Sequence, residues 1–105
     1  MRLSDQAAEA VGEVTVTMPE GLHARPVMRF VDLASTFQSR ITICNVTLRG
    51  EELDGKSAMQ MMLLEATHGC VLRIAAHGTD AHEAVAALTD LIESGMNAPP
   101  STESD

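Results

Sequence analysis

The sequence is poor in aromatic residues, with no tryptophan, no tyrosine and only Phe30 and Phe37 as phenylalanines. Hydrophobic residues nevertheless make up 45% of its 105 residues, and seven residues are methionines. A chain of this length is expected to form one small domain with a single core. That core must be built from aliphatic and methionine side chains.

Long hydrophobic runs are also missing from the sequence. No apolar stretch approaches the ~20 residues that a membrane helix needs, and the segment from Met1 to Asp5 lacks the hydrophobic region of a signal peptide. We therefore expect a cytoplasmic protein without membrane insertion. In that compartment the two cysteines, Cys44 and Cys70, are expected to be buried reduced thiols and not a disulfide or a metal pair.

Positive charge is scarce, because seven lysines and arginines face fifteen aspartates and glutamates, which gives a net charge of −8. This balance argues against nucleic acid as a partner and favours attraction to a partner protein with a basic face. His68, His77 and His82 share no metal-ligand spacing and are expected to be solvated. We expect neither a metal nor another cofactor.

The hydrophobic periodicity predicts the order strand, helix, strand, strand, helix, strand, helix. The predicted strands lie at 13–18, 41–44, 51–53 and 70–76, the last being the most apolar and therefore central. The predicted helices begin at Ala24, Ala58 and Ala81. The first runs to about residue 36 and the second is ended by 68–69. The third is capped within 78–80 and ended by Gly95.

Three amphipathic helices can cover one face of a four-stranded antiparallel sheet, which leaves the other face solvated. The expected fold class is therefore α+β, an open-faced β-sandwich with the order βαββαβα. We expect residues 11–96 to form this domain, residues 1–10 to be a flexible extension and residues 97–105 to be a disordered tail.

The loop before the first predicted helix contains the candidate reactive residue, His23, which lies where the loop ends and the helix begins. Gly21 supplies backbone freedom and Pro26 suits a first helical turn. The unpaired N–H groups of Ala24 and Arg25, the helix dipole and the Arg25 guanidinium can converge there into an anion site. These positive groups disfavour the imidazolium, so that a neutral, nucleophilic ring can accept and pass on a phosphoryl group.

The short second helix carries a methionine stripe that is compatible with two roles. Ser57 is its natural N-cap, and Met61 and Leu64 can face the core. A helix this short cannot bury every side of its apolar run, and flexible thioethers suit a surface that meets several partners. The candidate docking patch consists of Met28, Ala58, Met59 and Met62. The sequence leaves a core role for the same methionines open.

Two stretches together resemble the signatures of the HPr family, the histidine-containing phosphocarrier proteins of the bacterial phosphoenolpyruvate-dependent phosphotransferase system. They read GLHARP at 21–26 and GKSAMQMM at 55–62. The resemblance extends over about residues 12–95. It implies a monomeric phosphocarrier that is a member of a relay and not an autonomous enzyme.

The resemblance also implies the partners and the roles of individual residues. His23 would be phosphorylated at Nδ1 by phosphorylated Enzyme I, with Arg25 and the Ala24 N–H stabilising the phosphate. It would donate to an Enzyme IIA, either for sugar uptake or in a nitrogen-type regulatory branch. Ser57 matches the serine that HPr kinase/phosphorylase modifies in many members.

Some residues depart from the family pattern, and they bear on the choice of partners. Glu20 stands where a small polar residue is common, and its carboxylate could favour the imidazolium or repel phosphate. Asp32 and Ser35 stand where some members have lysines, so the partner-facing helix is less basic. The segment between Ile41 and Ser57 is a few residues longer than typical.

Two rival functions remain compatible with the sequence. One is a regulatory binding module of the same fold, acting through Ser57 phosphorylation and contacts with a transcription factor or kinase. Such a module needs no nucleophile, so the presence of His23 and Arg25 speaks against it. The other is a small hydrolase of acyl or phosphoryl groups, in which Glu20 is the only candidate for positioning water.

Overall fold

The computed structural model describes residues 9–96 of the chain. The predicted tail at 97–105 and residues 1–8 of the predicted extension lie outside this range. The elements follow the predicted order. They are β1 (Ala10–Thr15), α1 (Ala24–Ala34), β2 (Arg40–Asn45), β3 (Leu53–Asp54), α2 (Ala58–Met61) with a following 3₁₀ turn (Met62–Leu64), β4 (Val71–His77) and α3 (Ala81–Glu93).

The four strands form one antiparallel sheet in the order β1-β4-β2-β3, which confirms the central position of β4. In its register, Ile74 of β4 lies opposite Gly12 of β1 and Ile43 of β2. A Cβ added at Gly12 of β1 would lie 2.8 Å from the Val85 side chain. This short distance shows that helix α3 packs closely on β1. The fold is the predicted open-faced α+β sandwich.

The core lies between the sheet and the helices and is aliphatic, as the composition predicts. Its largest fully buried apolar side chains are Phe30, Ile41, Ile43, Met61, Leu72, Ile74, Leu88 and Ile92. Both cysteines, Cys44 and Cys70, are buried and do not form a disulfide with each other. Burial of these apolar side chains is the main source of stability for the domain.

The first strand lies at Ala10–Thr15 and not at 13–18 as predicted. The expected alternation continues beyond it, since Val16 and Met18 are buried and the N–H of Val16 donates to the Cys70 carbonyl at 2.9 Å. The continuous ladder stops at Thr15 because its partner strand begins at Val71. Periodicity identified the buried face but not the end of the pairing. Likewise, β3 is Leu53–Asp54 and not 51–53.

The second helix ends earlier than predicted. Its 3₁₀ turn stops at Leu64, and Glu65 takes a left-handed conformation with φ of 54°. The predicted stop at 68–69 is therefore wrong. The chain leaves the helix at Glu65 because the next residue, Ala66, is buried and its carbonyl accepts from the Leu22 N–H at 2.8 Å. Gly69, with φ of 91°, serves the later turn into β4.

The second face of the sheet is only partly solvated, in contrast to the prediction. Glu13 and Arg73 form an ion pair of 3.0 Å there and are partly exposed. Thr42, Cys44 and Ala75 alternate with core residues along their strands, yet they are buried. Hydrophobic alternation alone does not predict this burial of small side chains on the two inner strands, β2 and β4.

Candidate functional site

The loop before α1 is held against the segment that follows α2. The Gly21 N–H donates to the Met18 carbonyl at 3.0 Å, and the Leu22 N–H donates to the Ala66 carbonyl at 2.8 Å. Gly21 has φ of 75°, and a Cβ at this position would lie 2.5 Å from the Ala66 oxygen. Glycine is therefore required both by conformation and by the close approach. These contacts fix the position from which His23 enters the helix.

His23 is the N-cap residue of α1, with an extended backbone at φ −108° and ψ −163°. Its carbonyl accepts the first intrahelical bond, from the Val27 N–H at 2.9 Å. The N–H groups of Ala24 and Arg25 precede that bond and lie at the free end of the helix. Pro26, the third helical residue, is buried and has no N–H to satisfy. The helix end therefore offers two backbone donors next to the histidine.

The side chains at this helix end are accessible. His23 and Arg25 are both exposed, and the imidazole makes no capping bond to its own helix. Within residues 9–96, no hydrogen bond or ion pair occupies either side chain. The first turn of α1 has no acidic residue, so no carboxylate of that turn competes for the positive end of the helix dipole. An anion bound there would meet backbone N–H groups and a guanidinium.

Glu20, the residue that departs from the family pattern, is exposed in the same loop. No hydrogen bond joins its carboxylate to His23 in the part of the chain that the structure describes.

Ser57 is the N-cap of α2, as the sequence predicts. Its Oγ accepts from the Gln60 N–H at 3.1 Å, and its own N–H donates to the Asp54 carbonyl at 3.1 Å. The Gln60 side chain also accepts from the Asp54 N–H, at 2.9 Å. This contact of the Gln60 side chain, which the sequence does not indicate, joins the start of α2 to β3.

The methionine stripe divides between core and surface. Met61 and Leu64 are buried, whereas Met59 is 81% exposed and Met62 is 52% exposed. Met28 on α1 is 46% exposed, and Ala58 is half-buried against the core. Because α1 and α2 pack against each other, the exposed methionines lie on neighbouring elements, one of which begins at His23. The structure thus places three of the four predicted patch residues at the surface.

Asp80, in the predicted capping segment 78–80, is the N-cap residue of α3, but its side chain makes no capping bond. Its carboxylate instead accepts from the Ser39 hydroxyl, from the Ser39 N–H at 2.9 Å and from the Gln38 N–H at 2.8 Å. The Ser39 hydroxyl and then the Gln38 N–H hold the pKa of Asp80 below its ordinary value. These hydrogen bonds of the Asp80 carboxylate join the α1–β2 connection to the start of α3.

Cys70 has a weaker polar environment. The Thr67 hydroxyl lies 3.5 Å from its sulfur and is the main cause of a lowered pKa of this thiol, although burial opposes the effect. His68 and His82 are exposed as expected, whereas His77 at the end of β4 is half-buried. In residues 9–96 no group of three or more histidine, cysteine or acidic side chains could hold a metal ion.

A groove of about 210 Å³ lies between the β2–β3 connection and the end of α2. Its lining residues are Asn45, Gly50, Glu51, Leu53, Leu63 and Leu64, and they include neither His23 nor Arg25. The residues of the candidate site are themselves exposed. Among the described helices, none is long and apolar enough to span a membrane.

Comparison with known proteins gives a consistent result. Residues 10–94 match the family model described as "PTS HPr component phosphorylation site". The chain is 42% identical over 85 residues to the phosphocarrier protein HPr of Xylella fastidiosa (strain Temecula1 / ATCC 700964), covering 81% of this chain and 92% of that protein.

Two further relatives extend the comparison. The chain is 37% identical over 99 residues to the multiphosphoryl transfer protein of Haemophilus influenzae (strain ATCC 51907 / DSM 11121 / KW20 / Rd), covering 90% of this chain but only 20% of that protein. It is also similar to the crystal structure of HPr-C-His from Thermoanaerobacter tengcongensis. The TM-score is 0.77 at 35% sequence identity, with 87% of this chain and 99% of that chain covered.

Proposed function

The chain belongs to the HPr family and is a phosphocarrier of the phosphotransferase system, and on this premise we propose that His23 carries the phosphoryl group. The observation that supports this assignment most is the exposed imidazole at the N-cap of α1, beside two free backbone donors and the Arg25 guanidinium.

Transfer to His23 is a nucleophilic displacement at phosphorus. The lone pair of the ring nitrogen, Nδ1 by the family resemblance, forms a bond to the phosphorus of a phosphohistidine on the donor. The donor's phosphorus–nitrogen bond breaks, and its electron pair returns to the donor's ring. The charge that arrives at His23 is stabilised by the N–H groups of Ala24 and Arg25 and by the Arg25 side chain.

An exposed and shallow site suits a carrier better than an enzyme. In-line transfer requires the nucleophiles of two proteins to lie on opposite sides of one phosphorus atom, so both partners need open access to His23. The proposed partners are Enzyme I as donor and an Enzyme IIA protein or domain as acceptor, in the cytoplasm, with the chain acting as a monomer. The similarity to part of a longer multiphosphoryl transfer protein supports a relay role.

The proposed docking surface for these partners is the patch of Met28, Ala58, Met59 and Met62. Three of its side chains are exposed although they are apolar. Exposed apolar side chains on packed helices favour contact with a protein partner, and methionine adapts to more than one such partner.

Ser57 is a further proposed site, of regulatory phosphorylation by an HPr kinase/phosphorylase. It lies at the start of the helix that carries Met59 and Met62. A phosphate there would meet the positive end of a helix and would add negative charge beside the docking patch. A purely regulatory module is the less favoured alternative, because it would leave the exposed His23 without a role.

The assignment of His23 is tested by incubation with phosphoenolpyruvate and the cognate Enzyme I. We expect one acid-labile phosphate per chain, which His23→Ala abolishes. His68→Ala and His82→Ala, which remove other exposed histidines, serve as matched controls and should keep full labelling. Labelling that survives in His23→Ala, or rapid loss of the phosphate that depends on Glu20, would contradict the carrier proposal.

A further inference from the structure

Helix α2 is too short to hold its own position. It consists of four α-helical residues and a three-residue 3₁₀ turn, and isolated helices shorter than about 12 residues are marginal in water. Met61 and Leu64 anchor it in the core, but Met59 and Met62 point outward. The position of the exposed methionines must therefore come from contacts that other elements make with the two ends of α2.

The start of α2 is held by the contacts among Ser57, Gln60 and Asp54 described above. Its end is held by Asn45, the last residue of β2, which is only 1% exposed. The Asn45 Nδ2 lies 3.2 Å from the Leu64 carbonyl oxygen and 3.3 Å from that of Glu65. Its Oδ1 accepts from the Leu48 N–H at 3.1 Å.

One buried amide thus joins three segments, namely the sheet, the β2–β3 connection and the last turn of α2. Because Glu65 turns into the left-handed conformation, the final carbonyls of the helix have no following helical N–H groups to accept from. The Asn45 amide supplies these donors. A buried side chain that hydrogen-bonds to several segments fixes the relative position of the groups that it joins.

The residue that follows the end of α2 also holds the loop that carries His23. Ala66 follows Glu65 directly, and its carbonyl accepts from the N–H of Leu22, the residue before His23. A shift of α2 at Glu65 would therefore displace the docking methionines relative to the histidine.

We propose that Asn45 is a positioning residue for phosphoryl transfer, which holds α2 so that a partner docked on Met59 and Met62 is aligned with His23. This inference rests on the proposed docking patch and on His23 as the carrier residue. Asn45 lies in the interior and does not touch a partner, so its effect on the reaction must pass through α2.

The test uses Asn45→Leu, which keeps the branched shape but removes the donors and the acceptor, and Asn45→Ser as a smaller, polar variant. The Michaelis constant of Enzyme I for the carrier should rise on the order of fivefold, as expected for the loss of net hydrogen-bond energy, while kcat changes little. Ile92→Val, a buried substitution in α3, is the matched control that lowers thermal stability but leaves KM unchanged.

A double-mutant cycle with Met59→Ala separates positioning from a general loss of stability. If Asn45 acts through α2, Asn45→Leu should change KM much less in the Met59→Ala background than in the wild type. Asn45→Ser provides the same comparison if the leucine variant does not fold.

An unchanged KM in a folded Asn45 variant, or full additivity with Met59→Ala, would overturn the inference. Labelling of His23 in the wild type is measured in the same assay. Failure of the positioning role alone would leave that labelling intact, whereas failure of the proposed carrier function would remove it.

Discussion

At the scale of single residues, the site depends on a glycine at which any side chain would be strained. Gly21 combines φ of 75° with a position where a Cβ would lie 2.5 Å from the Ala66 oxygen. His23 follows two residues later, so the strain from any larger residue falls on the loop that carries the imidazole. Of all the residues near the site, this is the one where backbone geometry and function are most directly linked.

Gly21→Ala should lower the free energy of unfolding by about 2–3 kcal/mol, because the left-handed conformation and the backbone clash both add to the cost. Gly69→Ala is a matched control, since Gly69 also has positive φ but a Cβ there would have no heavy atom within 4 Å. It should lose only about 1 kcal/mol. Urea denaturation of the two variants checks this, and equal losses would contradict the role assigned to the close contact with Ala66.

Asp80 links stability to pH. Its pKa is lowered in the folded protein by the Ser39 hydroxyl and the Gln38 N–H, so folding favours the ionised carboxylate. This contribution is present above the unfolded pKa of about 3.9 and is lost as the pH falls through the lower folded value.

We expect Asp80→Asn to be less stable than the wild type at pH 6 and to approach it in stability as the pH falls from about 4 to 2. Thermal unfolding at a series of pH values measures this directly. Parallel curves for the two proteins would show that the contacts of Asp80 with Ser39 and Gln38 do not favour ionisation.

At the scale of elements, the start of α2 combines a structural cap with a proposed regulatory site. The Ser57 hydroxyl accepts from the Gln60 N–H, and such a cap contributes about 1 kcal/mol. Aspartate can accept the same bond and also interacts favourably with a helix N-terminus. Stability and docking can therefore be separated by substitution at one position.

Ser57→Ala should lose about 1 kcal/mol of unfolding free energy with KM for Enzyme I nearly unchanged. Ser57→Asp should keep most of the stability but raise KM, because its charge lies beside the exposed methionines. Denaturation and steady-state phosphorylation give the two readouts. If the aspartate variant bound Enzyme I as well as the alanine variant does, the electrostatic account of Ser57 regulation would be wrong.

The sequence predicted the order of the elements, because apolar spacing reports which faces are buried. Val14, Val16 and Met18 are buried as their alternation indicates, although only the first lies in the paired strand. The end of α2 could not be predicted, since Glu65 carries no sequence signal for a left-handed conformation. It is set by tertiary contacts of Ala66 with Leu22.

The same limit applies to the candidate site. His23, Arg25 and the Ser57 cap could be predicted from local sequence because helix ends have local signals. The roles of Asn45 and Gln60 could not, since their partners lie on other elements. The one available signal for Asn45 was an asparagine directly after the predicted strand 41–44, because asparagine is depleted in strands.

At the scale of the whole molecule, the fold places the residues of the proposed phosphoryl site at the surface of a domain with one buried core. The sheet and the buried faces of all three helices supply the core. The ends and outer faces of α1 and α2 present the exposed imidazole and methionines. His23 is exposed, and although the chain has fifteen acidic residues, none of them lies in the first turn of α1. Although the protein is acidic, the N-terminus of α1 therefore remains accessible to a phosphate group.

We propose that the N-terminus of α1 binds the phosphate carried by His23. This proposal is tested most directly by NMR of the ¹⁵N-labelled protein before and after phosphorylation by Enzyme I. The account predicts a single phosphoramidate at the Nδ1 atom of His23, together with downfield shifts of the Ala24 and Arg25 amide protons as they donate to the phosphate. A phosphate on another residue, or unshifted Ala24 and Arg25 amides in the phosphorylated protein, would contradict it.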